Sequence, residues 1–143
     1  MNTREIDRFL RRTCSDVFQG VYSIDTLPDQ ARLLVCNTDP SYKPGRHWIA
    51  IFIDSHRRGE YFDSFGRRPS RVFENYMNEH CVEWNYNAKQ LQSVVSNYCG
   101  LYCCLYCVLK CKGYSLTHIV NLFSNDTGFN DFIVRGFIYG LQQ

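Results

Sequence analysis

Gln92-Ser-Val-Val-Ser-Asn-Tyr-Cys99-Gly100-Leu-Tyr-Cys-Cys-Leu-Tyr-Cys-Val-Leu109 is the stretch on which the fold turns. From Leu101 to Leu109 every side chain is aliphatic, aromatic or a thiol. A helix that is apolar on all sides belongs inside a domain. Gln92 to Tyr98 is polar and turn-prone, so the pattern predicts a loop that enters a buried helix at Cys99 and a helix that ends near Gly113. A thiol at that junction meets free backbone N–H groups and the positive end of the helix dipole, and both favour the thiolate. Cys103, Cys104, Cys107 and Cys111 lie farther along the same helix and read as small hydrophobes that fill the core.

Working outward, the segments before this helix alternate between strand and turn. Thr3 is placed to cap a helix to about Leu10, with Ile6, Phe9 and Leu10 on one face. Residues 18–28 read as irregular. Arg32 to Asn37 reads as a short apolar strand, and Asp39 to Gly45 as a loop with two prolines and a glycine. His47-Trp-Ile-Ala-Ile-Phe-Ile-Asp54 is the clearest β signal, apolar enough to be buried on both faces. A turn at Ser55–Arg58 returns the chain along Gly59 to Phe65, which makes a hairpin closed by Gly66. A helix to about His80 should turn Val72, Phe73, Tyr76 and Met77 inward, and Cys81 to Tyr86 alternates as another strand. Beyond the buried helix, Ser115 caps a short helix to Phe123. A last helix after Asp126 carries Phe132, Ile133, Phe137 and Ile138. Strands in the middle with helices around them predict an α+β fold: a central mixed or antiparallel sheet flanked by helices, with the buried helix presenting Cys99 at its N-terminus.

The 143 residues suit a single domain, 1–143, with a hydrophobic core: 45% are apolar and 15% aromatic. The N-terminus lacks the apolar run of a signal peptide, and no run reaches the length of a membrane helix, so no membrane role is expected. Eight cysteines, five of them in one helix, do not read as a disulfide scaffold; they point to an intracellular, reducing setting. The CxxC at Cys104–Cys107 has no second ligand pair and no knuckle turn. Neither a metal site nor a thioredoxin-type redox site is expected, and no cofactor is implied. The net charge of +2 conceals clusters at Arg8, Arg11 and Arg12, at Arg57 and Arg58, and at Arg67, Arg68 and Arg71. These are solvated surface groups in the plain reading and a weak DNA contact in the other.

A cysteine nucleophile needs a base, and the base needs an acceptor that orients it. Of the four histidines, His56 falls in a hairpin turn, His80 ends a surface helix and His118 lies in the C-terminal helical region. His47 alone stands between a Pro-Gly loop and a buried strand. Asp63, near the end of the returning strand, is level with it. The two share a sheet face only if the hairpin connection has an odd effective length, such as five residues, or if a bulge near Gly59 shifts the register. Gln92, seven residues before Cys99, is placed to supply an oxyanion donor together with the Cys99 N–H. Singly, each of these residues also has an ordinary structural reading. Their joint order gives the chemical one.

His47-Trp48, Phe62-Asp63-Ser-Phe-Gly66 and Gln92-Ser…Cys99-Gly100 resemble the adenovirus-type cysteine proteases, which share a clan with the proteases of SUMO and related modifiers. The Gln92-to-Cys99 spacing resembles the adenoviral branch, and Val21 to Pro28 and Asn37 to Pro40 look like proteases of adenovirus-like viruses and large DNA transposons. The resemblance implies a thiol endopeptidase with His47 as base, Asp63 as orienter, Cys99 as nucleophile and Gln92 in the oxyanion hole. It further implies Trp48 and Asn97 in substrate binding, a preference for small residues such as glycine, and virion precursor proteins as substrates. A peptide or DNA activator is a property of some members. The chain is expected to act as a monomer. A protease of ubiquitin-like tails, an acyl transferase and an inactive binding module are the alternatives.

Overall fold

In the computed structural model, which describes residues 1–42 and 47–143, five strands form one sheet in chain order. They are β1 (Phe18–Ser23), β2 (Leu33–Asn37), β3 (Trp48–Ile53), β4 (Arg58–Phe62) and β5 (Glu83–Tyr86). The outer pairs β1–β2 and β4–β5 are parallel, and the inner pairs β2–β3 and β3–β4 are antiparallel. With five helices added, this is the α+β architecture that the segment pattern predicts. The strand at β1 is a finding beyond that pattern. Gly20, with φ +147°, and a register shift between Phe18 and Gly20 interrupt its alternation, which makes residues 18–28 look irregular.

The two faces of the sheet bury different sets, as the two-residue period of a strand requires. Leu33, Val35, Trp48, Ala50 and Phe62 join one core with α1 (Thr3–Thr13), α3 (Cys99–Cys111), α4 (Leu116–Asn121) and α5 (Thr127–Gln142). Leu34, Cys36, Ile49, Ile51 and Tyr61 join a second core under Phe73 and Met77 of α2 (Arg71–His80). Every residue of α3 from Cys99 to Leu109 is buried, so the reading of this helix as all-round apolar is correct. A partly buried carboxylate holds its far end: Glu60 of β4 accepts from Tyr106 Oη at 2.6 Å, from Lys110 Nζ at 3.1 Å and from the Leu116 N–H at 3.1 Å. With these partners the charge ties α3 and α4 to the sheet.

Two local expectations change. Asn2, not Thr3, caps α1: it forms a capping box with Glu5, in which the Glu5 N–H donates to Asn2 Oδ1 at 2.9 Å. In α2 Val72 is half exposed, and only Phe73 and Met77 are fully inside. In α5 Ile138 is buried, whereas Phe132, Ile133 and Phe137 face outward; the buried side consists of Asn130, Asp131, Val134 and Ile138. A helix with apolar residues all round gives no clue to which side the neighbouring elements will cover.

The hairpin that carries the site is in the register the sequence argument requires. Ile53 pairs with Gly59 across a five-residue connection, and Ala50 pairs with Phe62. Gly59 makes no bulge. Its missing side chain is a packing requirement, since a Cβ there would lie 2.5 Å from Cys81 Sγ and 2.9 Å from Met77 Cε. Just past β4 the chain turns at Gly66, whose φ of +68° and backbone contacts at 2.6–2.8 Å to Lys89 and Gln90 leave no room for a methyl group. Gly66→Ala should therefore lower the unfolding free energy in urea by about 2–4 kcal/mol.

Candidate active site

The site lies where three chain segments run off the ordered framework side by side: the entry to β3, the exit of β4 and the N-terminus of α3. The sequence places His47 in the strand; in the structure it stands one residue before it, and Asp63 stands one residue after β4. This position matters. Odd-numbered neighbours such as Ile49 and Tyr61 point to the α2 side of the sheet, away from α3. Only past the last paired rung are the two side chains free of that alternation and able to meet the Cys99 end of α3. The Pro44-Gly45 turn expected ahead of His47 lies outside the described residues.

His47 Nε2 is 2.8 Å from Asp63 Oδ1, and both side chains are largely buried. That bond assigns the imidazole: Nε2 carries a proton to the carboxylate, which leaves Nδ1 for the thiol. Among the described residues, Nδ1 is the one buried side-chain nitrogen or oxygen with no closed hydrogen bond. Cys99 lies against the same ring, close enough for the two groups to stabilise each other's charge. Burial would lower the His47 pKa, but Asp63 and Cys99 more than reverse this and raise it to about 9. Burial would likewise raise the Cys99 thiol. The His47 ring and the N–H groups of Trp48 and Gly100 outweigh burial and bring it below its ordinary value. Burial prevails for Cys103, Cys104 and Cys107, whose thiols are pushed up. Tyr98 gives α3 no side-chain cap, so the first N–H groups of the helix stay available to the sulfur.

The orienting shell is denser than the sequence suggests. Asp63 Oδ1 also accepts the Phe65 N–H at 2.8 Å, and the Phe65 ring stacks on His47 with centroids 4.9 Å apart. Asn87, buried, grips the Asp63 backbone from both sides: its Oδ1 accepts the Asp63 N–H at 3.0 Å and its Nδ2 donates to the Asp63 carbonyl at 2.6 Å. Nothing about Asn87 in the sequence marks it, because its partner is 24 residues away and backbone-directed. Ser64 is the link to Gln92. Its hydroxyl donates to Gln92 Oε1 at 2.6 Å, and its carbonyl accepts the N–H groups of Leu91 and Gln92 at 2.9 and 3.0 Å.

The Ser96 carbonyl, which can only accept, fixes which end of the Gln92 amide is the donor end. Gln92 is wholly buried, and its Nε2 points to Ser96, to Oγ and the carbonyl oxygen, both at 3.1 Å. The amide thus reaches toward the loop that leads to Cys99 and is occupied there by Ser96. Trp48 is only 8% exposed and lies against Gly100, where a Cβ would be 3.5 Å from its Cδ1, so it braces the helix more than it offers a wall. Asn97 is exposed on the loop, with no side-chain hydrogen bond to His47, Asp63 or Cys99. Among the described residues no group of three or more His, Cys, Asp or Glu is placed to hold a metal.

No protein-family model and no curated protein sequence matches the chain. Solved structures do. A crystal structure of the ASFV pS273R protease aligns with a TM-score of 0.67 at 19% identity, over 93% of this chain and 65% of that one. The selenomethionine form of the same protease aligns with a TM-score of 0.54 at 25% identity, over 73% and 43%. ChlaDub1 from Chlamydia trachomatis aligns with a TM-score of 0.60 at 16% identity, over 80% and 62%. The chain spans 43–65% of the length of these structures. These alignments show that the chain shares its fold with the ASFV protease and ChlaDub1.

The charge state of Cys99 is open to direct measurement. Iodoacetamide labelling of Cys99 should titrate with a midpoint below that of an ordinary thiol. In His47→Ala, with burial less opposed, the midpoint should rise by about one to two pH units. An unchanged midpoint would show that the ring does not support the thiolate.

Proposed function

We propose that the chain is a cysteine peptidase. The observation that carries this reading is the His47 Nε2–Asp63 Oδ1 bond of 2.8 Å, which leaves Nδ1 for a thiol at the mouth of a buried helix. In this reading the Cys99 thiolate attacks the carbonyl carbon of a peptide bond. The oxygen gains the negative charge and is met by the Cys99 N–H and, once Ser96 is displaced, by Gln92 Nε2. His47 Nδ1–H then protonates the leaving amine, and the acyl group stays on Sγ. The ring, now neutral, takes a proton from water, which attacks the thioester and frees Cys99. Throughout, Asp63 holds Nε2–H and steadies the imidazolium.

The finer reading is an endopeptidase that cuts beside small, glycine-rich sequences and processes virion precursor proteins. The adenovirus-type motifs and the likeness to the ASFV protease support it. Reaction with C-terminal electrophilic probes of ubiquitin or SUMO would favour the alternative branch. A reducing compartment suits a nucleophile that must stay a free thiolate.

On a glycine-rich peptide library, Cys99→Ala should lose roughly 10,000-fold or more in rate with the fold intact, and Gln92→Ala roughly 100- to 1,000-fold in kcat. The sign of the pH dependence follows from the pair. Both charges persist from the lowered thiol value up to about pH 9. Above that His47 loses its proton, so peptide cleavage should fall while alkylation of Cys99 continues. A DNA activator, if used, would contact the exposed arginines of α1 such as Arg8 and Arg12, because Arg11, Arg58 and Arg68 are already paired with Asp7, Asp54 and Glu74. Added duplex DNA should then raise activity at low salt, and a charge-reversed Arg8→Glu variant should lose the effect. Indifference of the wild type would remove DNA from the account.

A further inference from the structure

The outward face of α5 has a composition that solvent does not explain. Phe129, Phe132, Gly136 and Gly140 follow one another at spacings of three and four residues, with Ile133 four residues after Phe129, and so form one strip along the helix. Phe132 is 73% exposed and Phe129 54%; Phe137 and Tyr139 flank the strip and are also exposed. The strip bears no charge: Asp131 is turned inward and Arg135 lies to one side. A Cβ added at Gly136 or at Gly140 would meet nothing within 4 Å. Two glycines inside an exposed helix weaken it, and no contact among the described residues requires them. What glycines at this spacing do permit is the close approach of a second helix. The strip therefore holds both a notch and the rings to fill one.

We propose that α5 is the interface of a homodimer, in which two copies of the helix cross antiparallel about a two-fold axis at Gly136. The argument for a second copy is self-complementarity. In that arrangement Phe132 of each copy lies opposite Gly140 of the other, so each ring enters the other copy's notch, and Gly136 meets its own equivalent. The exposed apolar side chains of α5 amount to on the order of 500–600 Å² per copy, or about 1,000–1,200 Å² for the pair, which meets the lower bound for a specific interface. An uncharged strip suits neither DNA nor an acidic partner. A helix whose one exposed charge is Arg135 also lacks the lysine and arginine face of a membrane-surface helix. The monomer expected from the sequence gives way to this reading.

The dimer would bear on the site through the inner side of α5. Asn130 Nδ2 donates to the Leu91 carbonyl at 3.1 Å, and Asp131 Oδ1 accepts from Tyr102 Oη at 2.7 Å and from the Ser93 N–H at 3.4 Å. These contacts flank Gln92 on both sides. A second helix pressed on the outer face would hold α5 against the segment that carries the amide.

Sedimentation equilibrium of the wild type should give a mass twice the 16.8 kDa of one chain. Phe132→Glu should be monomeric at the same concentrations. Gly136→Leu fills empty space in a single copy and improves helix propensity, so its circular dichroism should match the wild type while its dimer dissociates at least tenfold more readily. Gly136→Cys should form a disulfide-linked dimer with oxidised glutathione, and Arg135→Cys should not. A wild type that stays monomeric at its highest soluble concentration would overturn the proposal, whether or not it sediments with anionic vesicles. So would a Gly136→Leu variant that dimerises as well as the wild type.

Discussion

The bond between His47 Nε2 and Asp63 Oδ1 is the constraint on which the rest of the site depends. A buried imidazole tends to lose its charge, and a buried thiol tends to keep its proton. Each group alone would be inert in the surroundings this fold provides. With Asp63 in place, the ring is held in one tautomer and favours the imidazolium, and the imidazolium in turn stabilises the thiolate. The charges of Cys99 and His47 are therefore properties of the assembled group, and they titrate as a unit.

The assembly depends on a short length of chain. Residues 63–66 orient the base through Asp63, stack on it through Phe65, hold the Gln92 amide through Ser64 and turn away through Gly66, whose close contact with Lys89 and Gln90 brings the two loops together. Asn87 locks the backbone of that segment. Because β3 and β4 are inner strands, their ends are well anchored, and His47 and Asp63 sit just beyond the strand ends, where they gain freedom of direction without losing position. The fold shared with the ASFV protease and with ChlaDub1 supplies this framework over most of the chain, although the chain spans only part of those proteins.

Two features of the resting structure bear on how such a site would work. The Gln92 donor is held by Ser96, so the loop between them has to rearrange before an oxyanion is bound. The same segment is braced from behind by Asn130 and Asp131 of α5, the helix whose outer face is most apolar. The oxyanion side of the site is thus the less settled one, and it is the side in contact with the surface where a second copy would bind.

The elements that carry the candidate site were legible in the chain. The all-apolar run after Cys99 required a buried helix, the continuous apolar run after His47 required an inner strand, and side-chain parity made a five-residue connection the condition for putting positions 47 and 63 on one side of the hairpin, which is the register found. These readings succeed because periodicity is local and hydrophobic burial is indifferent to the identity of the partner. Other features had no local signal. Asn87 acts on the Asp63 backbone 24 residues away and Ser64 on the Gln92 side-chain amide 28 residues away, and a polar residue in a loop looks the same whether or not it has such a partner. The outward turn of Phe132, Ile133 and Phe137 was equally hidden, since a helix apolar all round can bury any side, and only the packing of α5 through Asn130, Val134 and Ile138 selects one. By itself the sequence determined which residues could do the chemistry and which helix had to be inside, because composition and period set burial. The tertiary structure alone decided the direction of each polar side chain and the state of charge of the pair, because both depend on which groups the fold brings within hydrogen-bond reach.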